Sequence, residues 1–101
     1  MIASADITAE ELKERLNKGE TPVIIDVRED WEYQETSIPG AQNIPLGTLP
    51  QRIEDLDELK EQEVIVQCRS GARSASAKAF LQQQGFSNVR NLLGGILAYN
   101  G

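Results

Sequence analysis

The chain has 101 residues, 40% of them hydrophobic, with 16 acidic side chains, 10 basic ones, one cysteine, no histidine and a formal net charge of −6. That length suits one domain, residues 1–101, able to bury roughly two-thirds of its unfolded surface without a covalent staple. The acidic balance argues against a general nucleic-acid surface, the missing histidine excludes Ser-His or Cys-His pairs and a Cys/His zinc site within the chain, and no apolar run approaches a membrane span.

The opening stretch, Met1-Ile-Ala-Ser-Ala-Asp6, lacks the basic and long apolar regions of a signal peptide. A lone cysteine makes no internal disulfide, so the cytoplasm is the expected location. Thr8-Ala-Glu-Glu11 is a capping box that starts a helix; Leu12 and Leu16 share its apolar face and Gly19 ends it. Val23 to Val27 is apolar on both sides except at Asp26, as suits a central parallel strand. Asp26 has two readings: a cap for the next helix, or a buried carboxylate paired with an arginine near Cys68. The second is favoured because an unpaired buried carboxylate is costly; Arg73 is the first candidate partner, then Arg28 or Arg69.

Glu29 to Glu35 reads as a short acidic helix anchored in the core by Trp31. Ile38-Pro-Gly-Ala41 is a turn, and Asn43-Ile44 a brief strand closed by Pro45. Leu49 to Leu59 reads as one helix, with Leu49, Ile53 and Leu56 on one face and solvated acids opposite. Glu63 to Gln67 is a buried strand. Ala72 to Gln84 is a helix whose Ala72, Ala75 and Ala79 are expected to lie close on the sheet. Gly85 stops it, and Phe86 folds back on its last turn. Val89 to Asn91 is a short strand, Leu92-Leu-Gly-Gly95 turns the chain, and Ile96 to Tyr99 makes a last helical turn. Strands alternating with helices indicate an α/β fold with a mostly parallel central sheet of about five strands and helices on both faces.

Between the strand ending at Gln67 and the helix starting near Ala72 lies Cys68-Arg-Ser-Gly-Ala-Arg73-Ser74. A helix start leaves N–H groups unpaired and carries partial positive charge. With Arg69 and Arg73 beside it, Cys68 is expected to ionise below the value of a free thiol. Gly71 permits the tight curl, which turns the amides of Arg69, Ser70, Gly71, Ala72 and Arg73 inward as an anion nest. All the acidic residues precede Cys68, and the only charges after it are Arg69, Arg73, Lys78 and Arg90. That distribution predicts a locally positive cleft able to steer small anions.

This loop resembles the active-site loop of the rhodanese-like sulfurtransferases. Val23-Ile-Ile-Asp26-Val-Arg28-Glu29, Trp31-Glu-Tyr33, Ile38-Pro-Gly-Ala-Gln-Asn-Ile-Pro45 and Gly94-Gly95 are similar to further family motifs in the same order, so the resemblance covers about residues 4–100. It implies sulfur transfer through a Cys68 persulfide, with Arg69, Ser70, Gly71, Ala72 and Arg73 binding substrate and Asp26, Arg28 and Ser74 in support. It implies no metal and no cofactor. The partners would be a small anionic sulfur donor such as thiosulfate and a thiol or cyanide acceptor, with a sulfur-donor or acceptor protein as a further option and a monomer as the plain state. Two positions depart from the family: Ser37 stands where a histidine is common, and Tyr99 near a common tryptophan. Related cell-cycle phosphatases and arsenate reductases place five residues between cysteine and arginine. Here there are four, and the tighter ring suits one sulfur atom better than a tetrahedral phosphate. The same loop would also serve a protein-partnered sulfur-relay module or a redox-sensing thiol.

Overall fold

The two β-branched runs become the centre of a parallel sheet. In the computed structural model, which describes residues 5–101, Val23–Asp26 (β1) and Glu63–Gln67 (β3) pair in register from Val23 opposite Val64 to Asp26 opposite Gln67. Met1 to Ser4, the start of the stretch read as lacking a signal peptide, lie outside the described residues. Gln42–Asn43 (β2) adds to the far side of β1, and Asn88–Asn91 (β4) to the far side of β3. The order is β2-β1-β3-β4 and every pair is parallel. About five strands were expected and four form among the described residues. Ile7 makes only a single parallel bridge to Leu92, because Thr8 already caps the first helix and ends the extended chain.

Ala9–Asn17 (α1) starts on the expected capping box, with Thr8 Oγ1 accepting from the Glu11 amide at 3.1 Å. The remaining helices are Asp30–Glu35 (α2), Leu49–Arg52 (α3), Ala72–Gln83 (α4) and Gly95–Asn100 (α5). Alternation along the strands sends side chains into two cores. Ile25, Val64, Val66 and Val89 pack with Leu49, Leu56, Ala77, Leu81 and Phe86 on the α3 and α4 face. Ile24 and Ile65 pack with Ile7, Leu12, Ile38, Leu92 and Ile96 on the α1 and α5 face. No helix among the described residues is long and apolar enough to cross a membrane.

Three local expectations are corrected. The predicted helix over 49–59 is an α-helical turn followed by a 3-10 helix, Ile53–Leu59. Ile53, Leu56 and Leu59 recur every third residue, and the three-residue period of a 3-10 helix aligns all of them on the core. The inward face of α4 is Ser74, Ala77 and Leu81, while Ala72, Ala75 and Ala79 face solvent. Trp31 is 63% exposed. The inward anchor of α2 is Tyr33, whose hydroxyl donates to Ala41 O at 2.5 Å.

Asp26 is buried, as its place in the strand implied, but Arg73 is not its partner. Arg28 folds back over it instead: Arg28 N donates to Oδ1 at 2.9 Å and Nη2 to Oδ2 at 2.7 Å, while Nη2 also reaches Thr36 O at 2.7 Å. A residue two positions away reaches the carboxylate at almost no entropic cost of loop closure. Removing one member of such a buried pair strands the other. Asp26→Ala is therefore expected to lower stability by about 3–5 kcal/mol in urea denaturation. The double variant Asp26→Leu/Arg28→Met should recover most of that loss, since it leaves no orphaned charge.

Candidate active site

The carboxyl ends of β1 and β3 lie side by side, Asp26 opposite Gln67, so the chain leaving β3 enters the rim where parallel sheets gather ligands. Gly71 takes φ +111°, a conformation that side chains resist, and α4 begins at the next residue. The turn brings the start of α4 back onto Cys68. Gly71 N–H lies 3.1 Å from Cys68 Sγ, Ser74 N–H 3.4 Å and Ser74 Oγ 3.3 Å. The sulfur sits in a cradle of donors at the amino end of a 12-residue helix.

Donors can face the sulfur only if the loop's carbonyls are taken up elsewhere, and three of them are fastened from behind. Cys68 O accepts from Ile96 N at 2.9 Å and Gln67 Nε2 at 2.9 Å. Arg69 O accepts from Leu97 N at 3.1 Å, and Gly71 O from Asn91 Nδ2 at 3.1 Å. The first turn of α5 and two amide side chains thus hold the back of the loop. Asn91 Oδ1 also accepts from Ser74 Oγ at 2.6 Å. Neither Gln67 nor Asn91 stands out in the sequence. For Gln67 the signal available was a polar residue after the buried apolar run Val64 to Val66; Asn91 ends a strand that already carries Asn88 and Arg90, and has no such signal.

Cys68 is 1% exposed, and that burial pushes its thiol up; the Ser74 hydroxyl and the amides of Ser74, Gly71 and Ser70 more than offset it, and the net effect is a lowered pKa. These neutral donors, rather than the Arg69 and Arg73 guanidinium groups, head the causes of lowering. Ser74 has a single hydroxyl proton and three acceptors within reach, Sγ, Gly71 O and Asn91 Oδ1. Ser74→Ala is expected to raise the pH at which Cys68 becomes alkylatable. Near neutral pH the alkylation rate should fall about fivefold, the worth of one hydrogen bond. An unmoved profile would mean that the hydroxyl donates to Asn91 Oδ1 or Gly71 O rather than to the sulfur.

Arg73 closes the loop by a fork onto Glu32, with Nη1 to Oε1 at 2.7 Å and Nη2 to Oε2 at 3.0 Å. Glu32 also accepts from Glu29 N at 3.0 Å. The loop is thereby tied to α2. Those Arg73 hydrogen bonds outweigh burial and hold the Glu32 carboxyl at about 2, against an ordinary 4.5. A carboxyl with a depressed folded pKa stabilises fully above its unfolded value. The contribution is therefore present above pH 4.5 and is lost as pH falls toward about 2. Glu32→Gln is expected to flatten that acid limb of a plot of stability against pH.

The expected positive cleft is narrower than the distribution of charge along the chain implied. Arg28 pairs with Asp26, Arg73 with Glu32, Lys78 with Asp6, and Arg90 with Glu63 and Glu11. Acids from earlier in the chain thus neutralise the basic third. Among the described residues, Arg69 is the cation of the loop without an acidic partner, and it is exposed. Ser70 and Ala72 contribute backbone to the curl. Ser37 is also exposed.

The profile of the rhodanese-like domain matches residues 8–101. A sulfurtransferase of Allochromatium vinosum is 39% identical over 94 residues, spanning 93% of this chain and 86% of that one. A rhodanese-related protein of Thermoplasma volcanium superposes with a TM-score of 0.82 at 31% identity, over 95% of this chain and 90% of that one. A thiosulfate sulfurtransferase of Pseudomonas aeruginosa superposes with a TM-score of 0.81 at 31% identity, over 97% of this chain but only 19% of that longer chain.

Proposed function

The chain belongs to the rhodanese-like domain family, and we propose that it moves a sulfane sulfur from a small anionic donor such as thiosulfate to a thiol or cyanide acceptor, through a persulfide on Cys68. The observation that carries this reading is the donor cradle around Sγ, which favours the thiolate in a chain that has no histidine to act as base.

In the first step the Cys68 thiolate attacks the outer sulfur of thiosulfate. A new S–S bond forms, and the donor's S–S bond breaks with its electron pair leaving on sulfite. Arg69, exposed and without an acidic partner among the described residues, holds the donor's oxygens. In the second step an acceptor thiolate or cyanide attacks the outer sulfur of the persulfide, and the electron pair returns to Cys68 Sγ. The covalent intermediate divides one transfer into two easier ones. Neither step needs a general base, because the nucleophile enters already ionised.

The test is labelling of Cys68 with thiosulfate, read by mass spectrometry. A gain of one sulfur atom, removed by cyanide with release of thiocyanate, is the expected result. No gain with thiosulfate, together with a gain of oxygen under peroxide, would overturn the proposal in favour of a redox-sensing thiol.

A further inference from the structure

A cleft of about 490 Å³ opens between α2 and α5, beside the Cys68 loop. Arg69 forms part of its wall. Its apolar lining is Trp31, Ile96 and Leu97, and Trp31 and Leu97 are large apolar side chains left exposed, at 63% and 50%. The ionic groups lining it divide into two kinds. Glu32 is taken by Arg73, and Arg28 by Asp26. Arg69 and Glu35 line the same cleft, and neither has an ionic partner among the described residues. One cavity therefore offers one open cation, one open anion and an apolar surface.

We propose that this cleft is the acceptor subsite and that it selects a small α-amino-acid thiol, a zwitterion such as free cysteine. The carboxylate would pair with Arg69, the ammonium with Glu35, and the side-chain methylene would lie against Trp31 and Leu97. A site with one group of each sign disfavours a ligand carrying only one charge, because the unmatched protein charge is then desolvated without compensation. Arg69 also serves the donor in the transfer reading, on which this inference rests. The double role is possible because sulfite has left before the acceptor enters. The acceptor arrives as its thiolate, having given its proton to water. It forms an S–S bond to the outer persulfide sulfur, and the bond from that sulfur to Cys68 breaks with its electron pair returning to Sγ. No external oxidant or reductant is needed.

Binding can be read apart from chemistry, because Trp31 is the chain's one tryptophan and lines the cleft. Titration with S-methylcysteine is expected to change its fluorescence saturably. An analogue lacking the ammonium or the carboxylate should bind roughly tenfold more weakly, about the worth of one charge-assisted contact. In the second measurement the persulfide form is discharged by cysteine, cysteamine, mercaptopropionate or mercaptoethanol, with each KM expressed per thiolate. Cysteine should have the lowest KM, and Glu35→Gln should erase its advantage over mercaptopropionate. If the persulfide forms and cyanide discharges it, but S-methylcysteine gives no saturable signal and the four thiols share one KM, the subsite proposal is overturned while sulfur transfer stands. If no persulfide forms, the transfer reading fails, and the acceptor role assigned to the cleft fails with it.

Discussion

Cys68→Ser is expected to leave no measurable sulfur transfer and a protein of nearly unchanged stability. Serine keeps the shape of the side chain and can accept the same hydrogen bonds from Gly71 N, Ser74 N and Ser74 Oγ. What it lacks is ionisation. Amides and one hydroxyl that lower a thiol are far from sufficient to ionise an alcohol near neutral pH. A serine nucleophile needs a neighbouring base, and this chain has no histidine. Because Cys68 is buried and serine is slightly smaller and more polar, the cost in stability should be about 1 kcal/mol or less, read by urea unfolding. Thiosulfate should add no sulfur to the variant. Retained turnover would place the chemistry on another group and dismiss the cradle as its cause.

Gly95→Ala should be the most damaging single methyl group in the molecule. Gly95 opens α5 at φ +60°, where an added Cβ would lie 2.5 Å from Cys68 O and from Arg69 C, and closer still to Arg69 O. All of these are backbone atoms, so no rotamer change relieves the clash. The close approach exists because Ile96 N and Leu97 N donate to Cys68 O and Arg69 O. Pushing α5 away breaks both bonds, frees the two carbonyls and loosens the curl that aims donors at Sγ. The expected loss is about 3 kcal/mol or more, combining left-handed strain with lost hydrogen bonds. Thiol reactivity should move toward that of free cysteine. Gly40→Ala is the matched control. It has φ +83° with nothing within 4 Å of the added Cβ, so it carries the strain without the clash and should cost about 1 kcal/mol. Equal losses for the two variants would show that the contact between α5 and the loop does not hold the site together.

Legible in the residues alone are the features that depend on neighbours along the chain. The β-branched runs from Val23 and Val64 form strands, the Thr8 capping box starts α1, and Gly71 turns the chain so that the amides of α4 return to Cys68 only a few residues back. Each is a local preference read over a handful of residues, so composition and spacing suffice.

Which charges meet, and what fastens the loop from behind, followed from how distant segments pack. Arg73 was the expected partner of Asp26, but Arg28 takes that carboxylate and α2 delivers Glu32 to Arg73. Asn91 and the first amides of α5 support the loop through contacts between segments well apart along the chain, and nothing in their spacing reveals them. Trp31 reads as a core residue by type but stands exposed, because Tyr33 on the same short helix takes the inward position. The physical reason is common to all of these. Short-range conformational preferences belong to the residues that carry them, whereas ion pairs and carbonyl partners depend on which distant segments the packing of the two cores brings within about 3 Å, and a side chain's type does not encode that distance.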